Sequence, residues 1–167
     1  MGTTRRIIIF LSFVAVLILL GWLIFKPRTA APQPNVPKPV VITDYADRDS
    51  KVIYTFDGRI TGDDSHRAVR ITVSRGSRLV ELLQGYQGNV IKSQQFDNNP
   101  NAYRTFIYAI SRYNFGKVRK TTFTNDNGAC PLGYRYIYEL YDNNDQKLRL
   151  WGSSCDGIGT TAGSTSS

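Results

Sequence analysis

Apolar and polar residues alternate along much of the chain after residue 50, and this period of two predicts strands. Lys51–Asp57 (KVIYTFD) has the pattern. Arg67–Ser74 (RAVRITVS) has it more cleanly, with Val69, Ile71 and Val73 facing one way and Arg70, Thr72 and Ser74 the other. Arg75-Gly76-Ser77 then reads as a turn. Arg78–Tyr86 and Val90–Phe96 read as two further strands around Gln87-Gly88-Asn89.

At Asn99-Pro100 the period changes. Asn99 suits an N-cap and Pro100 a first helical residue. Tyr103, Phe106, Ile107, Ile110 and Tyr113 or Asn114 follow at helical spacing and predict one buried stripe, with Gly116 as the stop. Lys117–Thr124 is a candidate strand. The stretch YRYIYELYDNNDQKLRLW, Tyr134–Trp151, predicts a β-hairpin turning at Asn143–Asn144. The expected fold class is α+β: an antiparallel sheet with one long amphipathic helix packed on one face, plus an N-terminal transmembrane helix. Residues 158–167 are small and uncharged and read as a disordered tail.

The hairpin's register decides what its faces hold. Pairing outward from Asn143–Asn144 sets Tyr138 against Arg149 and Tyr136 against Trp151. Tyr134, Tyr136, Tyr138, Arg149 and Trp151 then share one face, a candidate binding surface of the aromatic and arginine composition found at binding hot spots. Burial under a second layer is the competing expectation, and a slip of one residue would turn the tyrosines into core.

A different pattern opens the chain. Ile7–Phe25 carries no charge, and nineteen residues at helical rise span about 28 Å, close to the bilayer's hydrocarbon thickness. A cleaved signal peptide fits less well, because the apolar run is long and Thr29-Ala30-Ala31 is followed at once by Pro32. Five prolines within residues 27–40 predict an extended spacer of about 40 Å. The expected organisation is a short cytoplasmic N-terminus (1–6), a transmembrane helix (7–25), a Pro-rich linker (26–40) and an extracytoplasmic domain (41–157).

Flanking cations do not fix the orientation, because Arg5 and Arg6 are balanced by Lys26 and Arg28. The two cysteines favour the outside. Cys130 and Cys155 fall at the feet of the hairpin, where a disulfide is geometrically reasonable, and disulfides persist outside the cytosol.

The formal charge of +8 overstates the domain. Residues from Asp44 onward hold sixteen Lys and Arg against thirteen Asp and Glu, a net of about +3, which argues against nucleic acid. Arg67, Arg70, Arg75 and Arg78 surround one turn and form the best candidate basic patch, alternatively a solvated edge that discourages aggregation. The single histidine, His66, lies beside Asp63 and Asp64 in TGDDSHR. A hydrolase using these groups is the alternative function, but neighbours in one loop do not converge as a triad does. No calcium loop, zinc cluster or phosphate loop is present, and no cofactor is implied.

The layout of anchor, proline stalk and Tyr-rich domain closed by CPLGYRYIYEL…LRLWGSSC resembles uncharacterised single-pass proteins of Saccharibacteria and related ultrasmall bacteria. The resemblance implies no activity and assigns no residue a role. The expectation is a membrane-anchored binding module of the cell envelope whose partner is an envelope protein or a cell-wall polymer.

Overall fold

Alternating side chains need a sheet whose faces differ, and the chain builds one from six strands: β1 Ser50–Asp57, β2 Arg67–Ser74, β3 Ser77–Gln84, β4 Asn89–Asp97, β5 Arg135–Asp142 and β6 Asp145–Ser153. The computed structural model describes Gly2 and residues 40–119, 125–155 and 158–161. The chain divides into two units, Met1–Pro37 and Lys38–Ser167, and the sheet belongs to the second. The expected span over 7–25 lies outside the described residues, and none of the described helices is long and apolar enough to cross a membrane. The linker of 26–40, Val40 excepted, and the Lys120–Thr124 part of the candidate strand lie outside them too.

All pairings are antiparallel, in the order β4-β3-β2-β1-β5-β6. The first four strands form a meander. Helix α1, Pro100–Arg112, then carries the chain back across the sheet, so that β5 pairs with β1. The α+β expectation of an antiparallel sheet with one helix is met at this level.

The helix starts where the sequence says. Asn99 accepts a hydrogen bond from the Ala102 N–H through Oδ1 at 2.9 Å, and Pro100 occupies the first turn. Tyr103 and Ile107 are fully buried, with Phe106 and Ile110 packed beside them. The stripe ends there, because Tyr113 is 85% exposed. The chain leaves the helix through Asn114 (φ 61°) and Gly116 (φ 95°). A Cβ on Gly116 would stand 2.9 Å from Ile42, so this turn demands glycine for space as well as for backbone freedom.

Against α1 lie Val52, Leu140, Leu148 and Leu150 of the sheet, with Ile42 and Ala46 from the short 3-10 segment that precedes β1. One polar link runs through this core. The Tyr103 hydroxyl meets Ser50 Oγ at 2.8 Å, and Ser50 donates to the Tyr45 carbonyl at 2.7 Å.

The hairpin register is corrected by one residue. Asp142 opposes Asp145 and Tyr141 opposes Gln146, as the turn dictates. Lys147 is then an extra residue, and beyond it Leu140 opposes Leu148, Tyr138 opposes Leu150 and Tyr136 opposes Gly152. The expected pairs Tyr138–Arg149 and Tyr136–Trp151 are therefore absent.

The two outer edges differ. Strand β4 is exposed along its whole length, and its ladder shifts opposite Leu82/Leu83, where Ile91 is the unmatched residue. Such a bulge spoils an edge as a template for further strands. Strand β6 is covered by residues 158–161: Gly152 bridges Gly159, and the Thr160 N–H donates to the Trp151 carbonyl at 2.7 Å. The part of the expected tail that is described is thus ordered against the sheet, because the open carbonyls of β6 recruit it. Cys130 and Cys155 are bonded with Cα atoms 5.7 Å apart, as their place at the hairpin's feet predicts.

Candidate functional site

The sheet has one face toward α1, here the front, and one away from it, the rear. Strand alternation and the pairings put Val52, Tyr54 and Phe56 of β1 on the front, beside Leu140, Tyr138 and Tyr136 of β5. The helix, thirteen residues or about 20 Å long, caps only the Val52–Leu140 end. Beyond it, half-buried rings continue along β1 and β5. Tyr54 packs on Tyr138 at 5.1 Å, and Phe56 packs on Tyr136 at 5.6 Å and stacks on Tyr134 at 5.0 Å. The Arg59 guanidinium lies over the Tyr134 ring at 5.5 Å and ends the row. From Tyr138 to Tyr134 the row extends about 13 Å.

These rings offer unused donors. The hydroxyls of Tyr54, Tyr134, Tyr136 and Tyr138 have no hydrogen-bond partner among the described residues, and none is sealed from solvent. Burial raises the Tyr54 phenol from its usual 10.0 to about 12, with further contributions from Tyr138 and Tyr136. The Tyr138 phenol is also raised, first by burial and then by Tyr136. Tyr54 and Tyr138 are therefore protonated donors at neutral pH.

Charge is sorted between the faces. The rear carries Asp57, Glu81 and Glu139, each within 4 Å of a cation: Arg135, Arg70 and Arg149. On the front the strand carboxylates are Asp142 and Asp145, which oppose each other at the β5–β6 turn and pair with Arg48 and Lys147. Arg67, Arg78 and Lys92 occupy front positions.

The five residues expected to share a surface are divided by the bulge at Lys147. Tyr134, Tyr136 and Tyr138 belong to the front. Arg149 is on the rear, bonded to Asp126 at 3.0 and 3.1 Å. Trp151 is on the rear at 2% exposure, and its Nε1 has no partner among the described residues. The four arginines do not form a patch either. Arg67 and Arg75 lie at opposite ends of β2, about 26 Å apart along the strand. Arg67 donates to the Asp64 and His66 carbonyls, Arg75 to the Asp47 carbonyl and Arg78 to the Asp97 carbonyl. Arg70 is on the rear, paired with Glu81 at 2.8 Å.

His66 is not in a solvated loop. It is 2% exposed and stacks on Tyr86 at 4.2 Å. Its Nδ1 meets the Arg59 carbonyl at 3.1 Å, and its Nε2 meets Asp57 Oδ1 at 2.8 Å. Asp57 Oδ2 accepts from Arg135 Nε at 2.7 Å, and Arg135 is 5% exposed. Asp63 instead accepts from the Tyr86 N–H at 2.7 Å. With both ring nitrogens engaged and the ring buried, His66 ties β1, β2 and β5 together at one end of the sheet. The pairing expected with Asp63 or Asp64 is not formed. No group of His, Cys, Asp and Glu among the described residues could hold a metal ion.

Tyr54 and Phe56 were missed as members of the site. Their signal was present in the alternation of KVIYTFD, but their neighbours come from a strand about eighty residues away. Comparison with protein-family models, with curated proteins and with solved structures finds no match.

Proposed function

We propose that this chain is a membrane-anchored binding module of the cell envelope, held outside the cytoplasm, which recognises a cell-wall polymer through the aromatic row Tyr54, Phe56, Tyr134, Tyr136 and Tyr138. One observation carries this reading: tandem rings stand half-open on the front face, with four phenol hydroxyls that have no partner among the described residues. Aromatic faces take up the apolar side of a sugar ring, and phenols hydrogen-bond to its hydroxyls. The rings sit on strands rather than loops, so little order is lost on binding. The apolar run of 7–25, the proline spacer and the disulfide support a tethered domain facing an oxidising compartment.

The test is co-sedimentation of the full chain, purified in mild detergent, with isolated wall material across a salt series. Nucleic acid serves as control. Binding to wall that survives salt is expected. Tyr134→Ser and Tyr136→Ser together should weaken it by roughly tenfold or more, as hot-spot rings do. Both residues lie outside the core cluster, so the melting temperature should hardly move. Undiminished wall binding by the double variant, or equal salt-sensitive binding to nucleic acid, refutes the reading.

A further inference from the structure

Between α1 and the sheet the packing leaves two hollows that meet at one pair of rings. The first, about 360 Å³, is walled by Val52, Ile71, Val73, Phe106 and Ile110. The second, about 280 Å³, runs past Leu150 to Asn114, Lys117 and Thr161. Ile110, Phe115 and Tyr138 line both, and the two rings stand edge to face at 5.8 Å. Both hollows open to solvent, so their apolar lining is surface that the packing of α1 on the sheet leaves uncovered. The first hollow has almost no polar lining beyond the Tyr54 and Tyr138 phenols, so water entering it would find few hydrogen-bond partners. Its volume is that of a small-ligand pocket.

We infer that this cleft holds an amphiphile with a single hydrocarbon chain and an anionic headgroup, the chain lying beneath α1 past Phe115 and the headgroup meeting Lys117. Three features choose this occupant. The inner hollow is lined by aliphatic and aromatic groups. The outer one ends in an exposed ammonium, Lys117, which has no ion-pair partner among the described residues. Among the described residues no carboxylate lines either hollow, so none of them opposes a negative headgroup at the mouth. The rim is amphipathic as well, with Tyr113 at 85% and Val118 at 66% exposure on either side of Lys117. The cleft shares Tyr54 and Tyr138 with the aromatic row, but Phe56, Tyr134 and Tyr136 line neither hollow, so the Tyr134/Tyr136 variants and the Lys117 variant test the two readings separately.

The probe is dodecyl phosphate carrying a photoreactive diazirine near the chain end, with the matching dodecanol as neutral control. Both are added to the full chain reconstituted in lipid nanodiscs. After irradiation, peptide mapping should place the phosphate probe on residues 100–117 and on β1 and β2. Lys117→Glu should cut labelling by the phosphate several-fold and leave that by the alcohol unchanged. Ile71→Trp, which fills the inner hollow, should suppress both; if that variant does not fold, Lys117→Glu carries the test. Labelling confined to residues 7–25, or cleft labelling that is the same for both probes and unaffected by Lys117→Glu, overturns the proposal.

Discussion

Asp57 ends β1 with both carboxylate oxygens committed, one to His66 and one to Arg135. Asp57→Asn keeps the size and removes the charge opposite the Arg135 guanidinium. The Arg135 side chain, 6% exposed, then loses its counter-charge. Removing one partner of a buried ion pair costs about 3–5 kcal/mol. Asp57 retains 19% side-chain exposure, so water relieves part of this, and about 3 kcal/mol is the expected loss. That is a large part of the roughly 5–15 kcal/mol that a domain has, and it shifts the folding equilibrium more than about a hundredfold.

The assay is urea unfolding of the full chain, followed by Trp151 emission with Trp22 changed to Phe. Trp151 is 2% exposed, so its emission should shift sharply as the sheet opens. The urea midpoint should fall with little change in slope. Arg135→Met should also destabilise, but the double variant should lose less than the two singles combined, with a coupling of about 1–3 kcal/mol. A loss below about 1 kcal/mol for Asp57→Asn, or strict additivity in the cycle, would falsify the claim that His66, Asp57 and Arg135 act as one structural unit.

Other expectations follow from the core and its edges. Ile107 is wholly buried under α1, so Ile107→Ala should cost about 3–4 kcal/mol in the same urea experiment. Cys130 and Cys155 are separated by 25 residues, so replacing both with Ala should cost about 3.5 kcal/mol by the loop-entropy estimate, and the parent protein should show no thiol to alkylating agents before reduction. Tyr54 keeps its proton in the folded chain to about pH 12, whereas an unfolded tyrosine ionises near 10. Its contribution is intact below pH 10 and is lost as pH rises from there toward 12, so Tyr54→Phe should flatten the alkaline fall of the urea midpoint and remove a phenol that appears at 295 nm only toward pH 12.

Much of the fold was legible because local chemistry specified it. Asn99-Pro100 caps a helix whose stripe is plain, and RAVRITVS can bury only one side. The hairpin turn also set its nearest pairs correctly. What local pattern does not carry is the extra residue at Lys147, since a bulge in an edge strand asks little of the sequence around it. That one residue moved Arg149 and Trp151 to the rear and left the tyrosines on the front. Nor does local pattern say that β5 returns to β1. Before that is known, Tyr54 and Phe56 are two alternating residues, and Asp57 is unconnected with an arginine 78 positions away. Once the faces are assigned, the charges acquire a meaning that composition hid. On the rear Asp57, Glu81 and Glu139 each stabilise a cation beside them, so these three contribute little net field outward. The front has no such compensation beyond the turn, and its surplus of cations borders the rings and the cleft. A domain of modest overall charge thereby presents one face suited to sugar-like and anionic ligands, a property set by long-range strand pairing and not by composition.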